Sequence, residues 1–215
     1  MIKKWSVQVS LEQTYLLKGN PESSKVLLAL HGFQQTAELF YKVTQSSFPI
    51  DWKVIVPNGL FLMPKFNTKK EEYEEAYTWY HYSPRLDRFF TSYAPAISYL
   101  NELLDIEGGK TNVVLGYSQG AYITPLVSGH QRKVDHVICV NGGYRVEALP
   151  SHFKYGVTAI HGLEDKIVDF ANAKMRFQQW TKNHKNTEFI ELTDTHHKWT
   201  PKISKEVSKK LDQLY

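Results

Sequence analysis

The 215-residue chain has a single cysteine, Cys139, so no disulfide can form within it. Set in Val137-Ile138-Cys139-Val140, that cysteine reads as a small buried hydrophobe of a strand. No apolar run approaches the roughly 20 residues of a membrane span, which argues against stable membrane insertion. The start, Met1-Ile2-Lys3-Lys4-Trp5-Ser6, carries charge but no long apolar segment follows it, so no secretory leader is expected. Internal repeats, low-complexity tracts and linker-like stretches are missing too, and one domain over residues 1–215 is expected. Dense positive charge is also lacking. The net charge of +4 comes partly from a Lys-rich stretch between Lys198 and Lys210, which reads as the solvated face of a last helix. Without a basic face or a recognisable module, no nucleic-acid partner is expected. A reducing, cytoplasmic setting fits these absences.

Aromatic residues, by contrast, are abundant: Tyr 13 and Phe 11, within an aromatic share of 13%. Apolar runs recur along the chain at Lys25–Leu30, Trp52–Val56, Asn112–Leu115, His136–Val140, Gly156–Ile160 and Thr187–Leu192. The first five are nearly continuous rather than alternating, the pattern of parallel strands covered on both faces. Val7–Ser10 and Thr14–Leu17 alternate better and suit an antiparallel edge hairpin. Between the runs, Ala94–Leu104 repeats Ile97, Leu100, Leu103 and Leu104 on one face and meets Gly108-Gly109. Asp169–Lys182 opens on an acidic cap and stacks Ala173, Phe177 and Trp180. Pro201–Leu214 begins with proline and repeats Ile203, Val207 and Leu211. Strands alternating with helices predict a mostly parallel, doubly wound α/β sheet with helices on both faces and an antiparallel N-terminal edge.

The stretch from Asn58 to Phe90 breaks this rhythm with many rings and a charged insert, Lys69-Lys70-Glu71-Glu72. Connections of this length inside a domain often form a binding loop or lid; the other reading is an excursion packing its rings on the sheet edge. Its start beyond Val56 lies at the carboxyl ends of the strands, where open α/β sheets bind substrates. The stretch is therefore expected to form one wall of a substrate pocket.

The chemistry begins at Gly116-Tyr117-Ser118-Gln119-Gly120, between Val113-Val114-Leu115 and a helix-like stretch. Serine with glycine at both second neighbours, between strand and helix, is a nucleophile elbow: side chains at either glycine would collide with backbone. Pro125 and the β-branched Ile123 and Thr124 predict a kink in the following helix. A serine hydroxyl needs a base oriented by a carboxylate, in the order Ser, acid, His, each just beyond a strand. The acids beyond Ile160 are Glu164, Asp165 and Asp169. The histidines beyond Leu192 are His196 and His197. Adjacent residues seldom ligate one ion together, and no metal or cofactor is expected.

Three motifs, Leu30-His31-Gly32-Phe33, Gly116-Tyr117-Ser118-Gln119-Gly120 and His161-Gly162-x-x-Asp165-x-x-Val168, together resemble those of the α/β-hydrolase superfamily. The resemblance is to its phospholipase/carboxylesterase group, with acyl-protein thioesterases and dienelactone-hydrolase-like esterases, and it runs from Lys25 to the C-terminus. It implies Ser118 as nucleophile and Asp165 as the carboxylate, leaving Asp169 to cap a helix and Glu164 exposed. Aligning Trp199 and Pro201 with the apolar residue and proline after the family histidine favours His197 as base, with His196 the alternative. Backbone amides of Gln119 and Phe33 would hold the oxyanion, and His31 would brace the loop. The resemblance also implies that Trp79 and Tyr80, in the stretch expected to wall the pocket, run near the site. The activity implied is cleavage of small-molecule carboxylic esters or thioesters through an acyl-enzyme. An amidase on the same triad, or a binding protein that keeps the fold, are the rival readings.

Overall fold

The computed structural model describes residues 12–129, 131 and 133–214. Its elements are β1 (Tyr15–Gly19), β2 (Lys25–Leu30), α1 (Ala37–Thr44), β3 (Lys53–Pro57) and six short strands. These are β4 (Phe61–Leu62), β5 (Lys65–Asn67), β6 (Glu72–Glu74), β7 (Tyr77–Thr78), β8 (His81–Ser83) and β9 (Arg88–Thr91). Then come α2 (Ala94–Glu107), β10 (Thr111–Tyr117), α3 (Gln119–Ile123), β11 (His136–Val140), β12 (Gly156–Gly162), α4 (Phe170–Thr181), β13 (Thr187–Leu192) and α5 (Pro201–Leu214).

The main sheet has the order β1-β3-β2-β10-β11-β12-β13. Every neighbouring pair is parallel except β1 with β3, which is antiparallel and begins at Tyr15 opposite Pro57. The antiparallel edge is thus present in β1, while Val7–Ser10 lies outside the described residues. Side chains alternate across a strand, so one run feeds two cores. Val114, Leu28 and Leu30 face α2 and α4, meeting Leu100, Leu104, Phe177 and Trp180. Val113, Leu115, Leu27 and Ala29 face α1 and α5, meeting Phe40, Ile203, Val207 and Leu211. Truncating one of these fully buried leucines to alanine would cost about 2–5 kcal/mol. Cys139 is wholly buried in β11, and burial pushes its thiol up to about 12.

The helices start where caps satisfy their first amides. Thr36 accepts from Leu39 N–H, Asp169 from Asn172 N–H, and the Thr200 hydroxyl and carbonyl accept from Ile203 and Ser204 N–H. The helix behind the elbow does more than kink. It stops after Ile123 and continues as a 3₁₀ turn, Thr124–Leu126. Pro125 has no N–H to donate, and the Thr124 hydroxyl takes the Gly120 carbonyl at 2.9 Å.

Residues 58–91 fold into three two-stranded antiparallel ribbons, β4 with β7, β5 with β6 and β8 with β9. The charged insert spans the β5–β6 turn, where Lys70 pairs with Glu74 at 2.8 Å. Tyr80, Tyr82, Phe89 and Tyr93 pack edge-on or tilted at 5.0–6.3 Å between centroids, so the rings supply a small core of their own. No helix among the described residues is long and apolar enough to cross a membrane.

Candidate active site

β10 ends in a turn that no ordinary residue adopts without cost. Ser118 has φ 52° and ψ −116°, a region that costs of order 1–3 kcal/mol and persists only where the surroundings enforce it. They do so here. A Cβ on Gly116 would sit 2.1 Å from the Thr124 hydroxyl, and one on Gly120 would sit 2.6 Å from the Leu30 carbonyl oxygen. Ser118 N–H is meanwhile held by the Val140 carbonyl at 2.9 Å. The serine is thereby fixed at the carboxyl edge of the sheet, between the loops that follow β2 and β11.

Two further strand ends bring the partners in. Ser118 Oγ lies 2.8 Å from His197 Nε2, and His197 Nδ1 lies 2.6 Å from Asp165 Oδ2. Asp165 is almost wholly buried. Burial alone would raise its pKa, but bonds from His161, His197 and the Val168 N–H outweigh it and hold the carboxyl well below the usual range. An ionised carboxylate only accepts, so Nδ1 must carry the ring proton and Nε2 is left to accept from the serine. Asp165 Oδ1 takes the N–H groups of Ile167 and Val168 at 2.9 Å each. The loop 165–168 is therefore wound around its own acid.

Geometry also separates the neighbours. His196 does not reach the serine: its Nε2 lies 3.1 Å from the Glu164 carboxylate, on the exposed rim. Asp169 caps α4, as its position in the sequence suggested. His31 is buried, with Nδ1 2.6 Å from the Gly32 carbonyl and Nε2 accepting from Gly59 N–H at 2.9 Å. Desolvation lowers its pKa to about 4, so it is a neutral brace.

Several contributors carried no signal strong enough to assign from sequence. Asn141, in the left-handed region at φ 48°, accepts from Gly162 N–H and donates to the His196 carbonyl, tying the acid loop to the histidine loop. A polar residue directly after the apolar run of β11 was its only trace. His161 Nε2 lies 3.0 Å from the Val168 carbonyl and 3.4 Å from Asp165 Oδ2. The Tyr117 ring stacks on His197 at 5.7 Å and its hydroxyl donates to the His197 carbonyl. Gln35 accepts from Gly32 N–H through its side chain, and its carbonyl accepts from Tyr77 N–H, so the ribbons dock on the loop after β2.

In front of the serine is a cleft of about 870 Å³, lined among others by Phe33, Ser118, Gln119, Tyr80, Tyr122 and Arg145. Of the two aromatic residues expected in its wall, Tyr80 is there and Trp79 is not. Trp79 is fully buried; its indole N–H needs an acceptor and finds the His31 carbonyl at 2.8 Å, behind the cleft. The Gln119 side chain clamps the same segment, accepting from Thr78 hydroxyl and Trp79 N–H and donating to the Tyr80 carbonyl. Neither the Phe33 nor the Gln119 backbone N–H has a hydrogen-bond acceptor among the described residues.

Comparison with solved structures supports the fold. Esterase PE8 is similar over 95% of this chain and 100% of its own, with TM-score 0.75 and 16% identity. A carboxylesterase from Mesorhizobium loti covers 96% and 98%, with TM-score 0.71 and 16% identity. Acyl-protein thioesterase 2 from Zea mays covers 94% and 99%, with TM-score 0.69 and 15% identity. No curated protein matches the chain. The family model described as serine hydrolase (FSH1) matches residues 21–209. With its sheet topology and its Ser118–His197–Asp165 array, the chain is an α/β-hydrolase and belongs to the serine hydrolase (FSH1) family.

Proposed function

We propose that this serine hydrolase cleaves carboxylic esters or thioesters of small molecules, with Ser118 as nucleophile, His197 as base and Asp165 as the orienting acid. The observation that carries the reading is the continuous chain of short bonds from Ser118 Oγ through His197 to the ionised Asp165. His197 Nε2 takes the hydroxyl proton as Ser118 Oγ attacks the substrate carbonyl. The N–H groups of Phe33 and Gln119, without an acceptor among the described residues, are the donors we assign to the oxyanion. The imidazolium, stabilised by Asp165, gives its proton to the departing alcohol or thiol. Water, activated by the same histidine, then releases the acid from the acyl-enzyme.

The aromatic wall at Tyr80 supports an apolar acyl or leaving group, and a partner of small-molecule size fits the cleft. A single domain in the cytoplasm is the setting we assign, consistent with a lone, buried cysteine. A series of 4-nitrophenyl esters of increasing acyl length, assayed with the wild type and Ser118→Ala, tests the proposal. Turnover of at least one ester that disappears in Ser118→Ala is expected. Turnover that survives the substitution, or none across the whole series, would reject it.

A further inference from the structure

The cleft in front of Ser118 contains two arginines that differ in how far they are satisfied. Arg176 is paired in a fork, its Nη1 and Nη2 donating to the two Glu147 oxygens at 2.8 and 3.0 Å. Arg145 sits over two rings instead, its guanidinium carbon 4.3 Å from the Tyr82 centroid and 4.8 Å from that of Phe89. Among the described residues its side chain donates to Asp87 Oδ1, at a long 3.4 Å from Nη2, and its guanidinium also acts on the Tyr82 hydroxyl. That carboxylate is 83% exposed and already accepts from the Tyr82 hydroxyl. A guanidinium has five N–H donors, so most of those on Arg145 have no acceptor among the described residues.

The acids of the cleft each have a partner of their own. Glu147 holds Arg176, Asp169 caps α4 through Asn172 N–H at 2.8 Å, and Asp87 holds Tyr82. Arg145 is therefore the cation of this cleft with donors to spare, set among three carboxylates that each already have a partner. It is also fixed in place: the Arg145 carbonyl accepts from Ala148 N–H at 2.8 Å, anchoring the turn that presents the side chain. Stacking on Tyr82 and Phe89 limits the freedom that binding would otherwise remove.

We infer that Arg145 determines specificity by receiving a carboxylate carried by the substrate, so that the preferred esters are anionic. The inference rests on the ester-hydrolase reading and narrows it. A planar carboxylate matches the guanidinium fork, and it can replace the long contact to the solvated Asp87 without stranding a buried charge. The carboxylate can reside on the acyl chain or on the alcohol portion, and two substrate pairs separate these sources. One pair is mono-4-nitrophenyl adipate and its methyl-capped diester, both read as nitrophenolate release. The other is 4-acetoxybenzoate and its methyl ester, read as release of the phenol.

In the wild type, the anionic member of at least one pair should have the higher kcat/KM, by about tenfold to a hundredfold. Arg145→Gln, with folding checked by circular dichroism, should bring that ratio close to one, and Arg145→Lys should restore only part of it. Ratios at or below one in both pairs for the wild type would overturn the inference. So would a preference that survives Arg145→Gln. If neutral esters turn over in a Ser118-dependent way without any anionic preference, only the inference falls. If no ester turns over, or Ser118→Ala is equally active, the ester-hydrolase reading falls and the inference with it.

Discussion

The sheet's carboxyl rim and the ribbons between β3 and α2 border the same cleft, but different forces hold them. On the rim, Ser118 is locked into a strained turn and Asp165 accepts from two backbone amides and His197, each group fixed by the strand before it. The ribbons are two or three pairs long, and rings, the Trp79 indole, the Gln119 amide and the Tyr77–Gln35 backbone bond help attach them to the rim. Reacting groups set on strand ends cannot shift without disturbing the sheet, whereas a wall of aromatic contacts can change shape or composition at little cost to the chemistry. Substitutions on the rim should therefore destroy kcat. Those at the junction should cost stability first, and those outside both should do little.

The largest effects belong to the rim. His197→Ala should lower kcat by roughly 10⁴–10⁶-fold, as removal of the base does when a triad acts as a unit. Asp165→Asn should lower it about 10⁴-fold with the fold intact, because an amide would favour the wrong imidazole tautomer. An Asp165→Asn enzyme of near-normal kcat would mean that another acid, such as Glu164, orients the base.

At the junction, Gln119→Leu removes the clamp on Thr78, Trp79 and Tyr80 but keeps the backbone amide assigned to the oxyanion. Stranding these buried groups should cost about 2–4 kcal/mol, or about 10 °C in Tm for a chain of this size. The loss in kcat should be far smaller than for Asp165→Asn. An unchanged Tm would show that the ribbons do not depend on this amide.

Acid should weaken the whole molecule more gradually. His31 and His136 are held neutral, burial lowering each to about 4 from the ordinary 6.5. Their folded-state pKa values lie below those of the unfolded chain, so the unfolded state binds protons first. The stability they contribute is complete above about pH 6.5 and is lost as the pH falls toward 4. The slope should approach 1.4 kcal/mol per pH unit for each histidine. Urea unfolding at pH 7, 5.5 and 4.5 measures it, and a flat profile would contradict the burial argument. The smallest effect is expected for His196→Ala: an exposed pair with Glu164 is worth little, so kcat should stay within about threefold of wild type.

How much of this was legible follows the same division. The parallel strands were readable as unbroken apolar runs, because both of their faces are covered. The bounds of α5 were readable because proline opens it and Ile203, Val207 and Leu211 recur at helical spacing. The short α1 went unanticipated, although Thr36 marks its start; eight residues give too little periodicity to stand out. The triad residues could be located because strand ends and motif order confine them, while the resemblance to the family's histidine motif, through Trp199 and Pro201, favoured His197 and left His196 as the alternative. Trp79 and Tyr80 were harder. Adjacent residues in an extended segment point to opposite sides, and no feature of the sequence said which side was the cleft. Asn141 and Gln35 act through contacts distant in sequence, between loops whose approach is decided by the sheet order.

The central claim is that Ser118 is an activated nucleophile, and covalent trapping tests it without knowledge of the natural substrate. Native protein treated with a fluorophosphonate should gain the mass of one phosphonyl group, mapped by peptide sequencing to Ser118, and Ser118→Ala should gain none. Labelling at another residue, or a folded wild type that stays unlabelled, would contradict the account.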